Sequence, residues 1–169
     1  MRNPFSRDAF GQGPDMSAYN VGQGQTGAGA VSPDERVRTA LQAAGYGNPL
    51  VTEAHNFTVA LNCADGRTQQ IYIASQTQTV RGREWRRVYS WSYDAAGGLS
   101  LEQASALLDE AKTPVLGSWF TSQGDERVWV GFQIMVPADC PPEELDAAIY
   151  EVAWEADVME RASVGTDYQ

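Results

Sequence analysis

The sequence has one histidine, two cysteines, no long apolar run and no excess of basic residues in a chain of 169 residues. Each scarcity excludes a class of function. His55 lies in Glu53-Ala54-His55-Asn56-Phe57 with no second ligand at metal-binding spacing, and it is the only imidazole that could act as a general base. Cys63 and Cys140 stand far apart and outside any C-x-x-C spacing, so both read as free thiols rather than as a disulfide framework or a zinc site. No stretch approaches the roughly eighteen apolar residues of a membrane span. The opening MRNPFSRDAFGQGPD lacks an apolar core followed by a small-residue cleavage site, which predicts a cytoplasmic protein without a membrane partner. A net charge of -10 repels phosphate backbones, so no nucleic-acid partner is expected.

What is present is a core-forming composition, 43% hydrophobic with five Trp, seven Tyr and five Phe, enough for one ordinary domain. The charge is uneven: residues 1–98 carry nine Arg against eight acids, and residues 99–169 carry three basic groups against fourteen acids. Residues 1–30 are rich in Gly, Gln, Ser and Asn and are expected to form a flexible tail, because they offer too little apolar surface to offset backbone entropy. Neither a G-x-x-x-x-G-K-S/T loop nor a G-x-G-x-x-G unit following a strand occurs there. The domain is expected over 31–162, with a short tail over 163–169.

Hydropathy periods predict the order α-β-β-β-α-β-β-α. Ser32-Pro33-Asp34-Glu35 offers a capping box with Ser32 as the cap, before an apolar stripe of Val37, Ala40, Leu41 and Ala44 that Gly45 ends. Phe57, Val59, Leu61 and Cys63 alternate, Asp65-Gly66 makes a turn, and Gln69 to Ile73 returns as a strand. A third strand is expected from about Trp85 to Tyr93, with Trp85, Tyr89, Trp91 and Tyr93 on one face and Val88, Ser90 and Ser92 on the other. Ser100 and Gln103 frame a second helix with Leu101, Ala104, Leu107, Leu108 and Ala111 inward. Strands are then expected from Val115 to Thr121 and from Arg127 to Val136. Hairpin-linked strands with intervening helices indicate an α+β fold with an antiparallel sheet of about five strands.

Catalysis finds little support, and no enzyme activity or cofactor is expected. Ser90, Ser118 and Ser122 do not lie in G-x-S-x-G. The acidic pairs Asp109-Glu110, Asp125-Glu126 and Glu143-Glu144 are adjacent in sequence, as solvated helix ends and turns are, rather than set apart as an acid/base couple.

The last helix carries two apolar stripes. At about 100° per residue, Leu145, Ile149, Val152, Ala156 and Met159 fall on one side and Ala147, Tyr150, Trp154 and Val158 almost opposite, with acidic wedges between. One stripe serves a core; two suggest a partner. The sheet bears a similar excess: Trp85, Tyr89, Trp91, Trp119 and Trp129 are expected on the face away from the aliphatic rows, where the tail, the last helix, a second subunit or a peptide would cover them.

The pieces Asp65-Gly66-Arg67-Thr68-Gln69-Gln70-Ile71-Tyr72-Ile73, Val88-Tyr89-Ser90, Gly117 to Phe120, Val128 to Val136, Pro137 and Glu143-Glu144-Leu145 together resemble the bacterial YbjN-like domains. That resemblance implies a fold shared with type III secretion chaperones. It also implies a non-enzymatic module that binds a protein or peptide, often as a homodimer. Tyr150, Trp154 and Val158 of the helix and Tyr89, Trp91, Trp119 and Trp129 of the sheet would form the partner surfaces, and the acidic balance would favour basic or amphipathic clients. An alternative is a small-molecule or anion sensor that uses the aromatic face with Arg81, Arg83, Arg86 and Arg87.

Overall fold

A computed structural model describes residues 32–63, 66–96, 98–111, 116–123 and 127–164. The elements are α1 (Glu35–Ala43), β1 (Leu50–Val51), β2 (Phe57–Asn62), β3 (Thr68–Val80), β4 (Arg83–Ala96), α2 (Leu101–Glu110), β5 (Ser118–Gln123), β6 (Arg127–Pro137) and α3 (Pro142–Val164). The strands form one open antiparallel sheet in the order β1-β2-β3-β4-β6-β5. The α+β class is as expected. The sixth strand, β1, is two residues long and too short to show a period. The expected tail over 1–30, the turn residue Asp65, the expected strand start at Val115 and residues 165–169 of the expected final tail lie outside the described residues; α3 runs to Val164.

Alternation divides the sheet. Phe57, Leu61, Ile71, Ile73, Val88, Phe132, Ile134 and Val136 form the inner face, closed by Val37 and Leu41 of α1 and by Leu145, Ile149, Val152 and Ala153 of α3. Burying each large side chain contributes about 1.5–3 kcal/mol, so this layer dominates stability. The sequence reading ends the second strand at Ile73, yet β3 continues to Val80. Its extension, Ser75 to Thr79, is polar throughout, so no apolar alternation marks it. Arg81 (φ 52) and Gly82 (φ 79) then make a two-residue turn with both φ values positive, as a tight hairpin requires.

Asp34, not Ser32, caps α1: its carboxylate accepts from Arg36 N at 3.0 Å. The cause is tertiary. Arg86, on the inner face of β4 and 2% exposed, donates to Asp34 Oδ2 at 2.6 Å and to the carbonyls of Ala74 (2.5 Å) and Ser75 (3.2 Å). Those carbonyls converge because the β3–β4 register shifts between Ile73 and Thr77. Ser75 Oγ ties the bulge further, accepting from Asp34 N and donating to the His55 carbonyl. At the other end of α1, Gly45 (φ 87) donates to Gln42 O and Tyr46 to Leu41 O, the paired bonds of a left-handed helix stop.

The second helix departs from expectation on its inner side. Ser100 and Gln103 do form the reciprocal capping box, but Leu107 is buried alone, while Leu101 is 86% and Leu108 71% exposed. The inner face of the sheet is already occupied by α1 and α3, and α2 makes no extensive contact with any strand.

Burial alone would raise the Asp34 carboxyl, but the hydrogen bonds from Arg36 and Arg86 and the Arg86 charge outweigh it and hold it down to about 2. Its folded value thus lies below the unfolded one, so its contribution is present above about pH 4 and is lost as the pH falls towards 2. Asp34→Ala leaves the Arg86 charge buried without its carboxylate and is expected to cost about 3 kcal/mol at neutral pH. Urea unfolding midpoints measured across the acid range should also fall less steeply below about pH 4 than in the parent.

Candidate functional site

Helix α3 presents the two expected stripes in two different environments. Leu145, Ile149, Val152 and Ala156 are buried against the sheet. Opposite them, Trp154 is 45% and Val158 41% exposed, whereas Tyr150 is half-buried at the margin of the core. Glu151 is exposed and Glu155 half-buried beside Trp154. Burial, together with the charges of Glu151 and of Glu110 from α2, raises the Glu155 carboxyl. One wedge residue differs from expectation: Asp157 is buried and pairs with Arg67 at 2.6 Å and with Arg161 at 3.1 Å. Arg67, placed just after the β2–β3 turn, reaches across to α3. This assigns a structural role to the arginine of the D-G-R segment.

The outer sheet face brings together Tyr89, Trp91 and Trp129 but not Trp119. Tyr89 stacks on Tyr72 with ring centroids 5.1 Å apart, meets Trp91 edge-on at 5.9 Å, and Trp91 meets Trp129 at 6.4 Å. Trp119 points the other way and packs on Phe132 at 5.0 Å, because it pairs with that core residue across β5–β6. Its neighbour Phe120 takes the outer position, 5.0 Å from Trp91 and 6.0 Å from Tyr89. Tyr93 also changes face: a register shift between Trp91 and Tyr93 pairs it with Val130, so period two fails there. Trp85 keeps the outer parity at the far end of β4, with the Arg83 guanidinium over its ring at 5.3 Å.

The rings shield one another. Tyr72 and Tyr89 are each 6% exposed, while Trp91, Phe120 and Trp129 stay half-buried. Gly131 makes this packing possible. A Cβ there would lie 2.6 Å from Ser90 O and 2.7 Å from Phe120 Cζ, so Phe120 occupies the space that a side chain would fill.

The four arginines of the proposed anion cluster diverge. Arg81 is in the exposed turn, Arg83 lies on Trp85 and 3.8 Å from Asp139, Arg86 is buried on the inner face, and Arg87 lies 4.3 Å over Tyr89 on the outer face. Alternation along β4 separates Arg86 from Arg83 and Arg87.

His55 (φ 59) is exposed in the β1–β2 loop, at the opposite end of β2 from Cys63. Burial, with Asp157 nearby, pushes the Cys63 thiol up to about 12, and burial, with Glu144 nearby, raises that of Cys140. An open cleft of about 530 Å³ runs between α1 and the start of α3, over Val37, Ala40, Cys140, Pro142 and Leu145. His55 and Cys63 do not line it.

Gly131→Ala is expected to cost about 1–3 kcal/mol and to displace Phe120 from Trp91. Urea unfolding with near-UV circular dichroism should show both effects, and an unchanged aromatic signal with unchanged stability would refute this account of the slab. Comparison with known proteins returns no matching family model, curated protein or solved structure.

Proposed function

We propose that this protein is a non-enzymatic, cytoplasmic module that binds a polypeptide, a chaperone-like or adaptor domain of the YbjN-like kind that works as a homodimer. The observation that carries this reading is α3, where one stripe is buried from Leu145 to Ala156, with Met159 half-buried at its end, and the opposite stripe leaves Trp154 and Val158 about two-fifths exposed. A tryptophan held in water on a rigid helix is a common interface anchor. The surrounding acids favour a basic or amphipathic client. Glu151, Glu155 and Glu110 crowd one another near Trp154, and a basic or amphipathic segment laid on this stripe would relieve that repulsion. A standard interface buries about 800 Å² per partner, more than this stripe alone supplies, so an interface here must take in neighbouring surface as well. No helix among the described residues is long and apolar enough to cross a membrane. The alternative of an anion sensor keeps only Arg83 and Arg87 on the aromatic face, because Arg86 is buried on the opposite face and Arg81 stands in the turn.

Trp154→Glu is expected to leave the fold intact and to abolish self-association and binding of a basic amphipathic peptide, because it places a charge in a surface that association would desolvate. Multi-angle light scattering and peptide anisotropy on mutant and parent decide this. Unchanged mass together with unchanged peptide affinity would remove the proposal.

A further inference from the structure

We infer that the outer aromatic face of the sheet is a docking surface for an acidic polypeptide segment, opposite in charge preference to α3. The inference rests on the reading of the protein as a polypeptide-binding module and assigns the chemistry of its second surface. The charges on this face follow from register: among the described strand residues, Arg83, Arg87 and Arg127 lie on it against Asp94. Asp94 is already paired with Arg127. Among the described residues Arg83 pairs with Asp139, at 3.8 Å with both side chains more than half exposed, a contact of little worth. Arg87 has no carboxylate within ion-pair distance among the described residues, and it lies 4.3 Å over Tyr89 and 5.4 Å over Phe120.

A guanidinium stacked on rings is held in one orientation and still presents donors in its own plane, the arrangement suited to a carboxylate. Beside it, Trp91, Phe120 and Trp129 are half-buried and offer apolar contact. An extended segment that alternates acidic and apolar side chains matches both features. The chain's own acidity does not prevent this. The acidic outer side of α3 is separated from this face by the sheet and the helix layer, each about 10 Å in scale, whereas charges are screened over about 8 Å at physiological salt.

The test uses the full chain at physiological salt with two soluble peptides, Glu-Leu-Glu-Val repeats and the charge-reversed Lys-Leu-Lys-Val repeats, followed by tryptophan fluorescence and peptide anisotropy. The acidic peptide is expected to bind, to weaken as salt rises, to lose about tenfold in affinity with Arg87→Gln, and to be indifferent to Trp154→Glu. If Arg87→Gln does not fold, Arg83→Gln, whose side chain is 57% exposed, provides the same comparison. Acidic-peptide binding lost with Trp154→Glu but kept in the arginine variant overturns the inference. So does binding of the lysine peptide alone, which leaves the wider reading standing; binding of neither peptide removes both. A concentration-dependent mass that Arg87→Gln abolishes would assign the face to a second copy of the chain and overturn the inference.

Discussion

Arg86 is the constraint around which the rest is arranged. Its guanidinium has only donors to offer, and at 2% exposure those donors must find their acceptors inside. Three arrive from different parts of the chain: the Asp34 carboxylate before α1, and the Ala74 and Ser75 carbonyls of the β3 bulge. One side chain therefore fixes where α1 begins, where β3 bends and how both sit on β4. Tyr46, just past α1, then donates to Asp146 on α3 at 2.7 Å, which passes the placement on to the last helix. Breaking the buried pair from either side leaves an unbalanced charge, so the network specifies geometry more than it adds net stability.

That network also marks the limit of what the sequence made legible. Local chemistry was readable: the Ser100–Gln103 box, the Gly45 stop, the alternating core rows and the two stripes of α3 each follow from neighbours within a few residues. What escaped depends on distant partners. Ser32 is the cap that Ser32-Pro33-Asp34-Glu35 suggests, whereas the residue that caps is Asp34, held by Arg86 fifty-two residues on. Period two put Tyr93 with Tyr89 and Trp91, but a bulge at that point turns it over. Trp119 and Phe120 are both aromatic, so hydropathy could not say which faced out; pairing with Phe132 decides. The α2 leucines looked inward because a stripe shows that a helix has an apolar side, not that a surface remains to receive it.

The outer aromatics require a different account from the one their number suggests. Left singly in water, five large rings would demand a cover. Stacked as Tyr72, Tyr89, Trp91, Phe120 and Trp129, they supply most of it themselves, with Arg87 laid over two of them and Gly131 leaving the gap that Phe120 fills. Burial need not force a partner onto this face. The case for a partner there rests on charge, and the case for one at α3 rests on exposed apolar surface.

Net charge is a poor guide to either. The total of -10 suggests a uniformly acidic body, but the acids gather on α3 and its flanks while the outer sheet face carries arginines. A sheet one residue thick enforces this separation, because adjacent residues of β4 must point to opposite sides. Arg86 and Arg87 are the sharpest case: consecutive in sequence, one is spent on holding α1 to the bulge and the other lies on the rings in reach of solvent. A partner meets the local face and not the sum. The face proposed for an acidic segment and the stripe proposed for a basic one thus differ in local charge although they belong to one acidic chain, and the buried core lies between them.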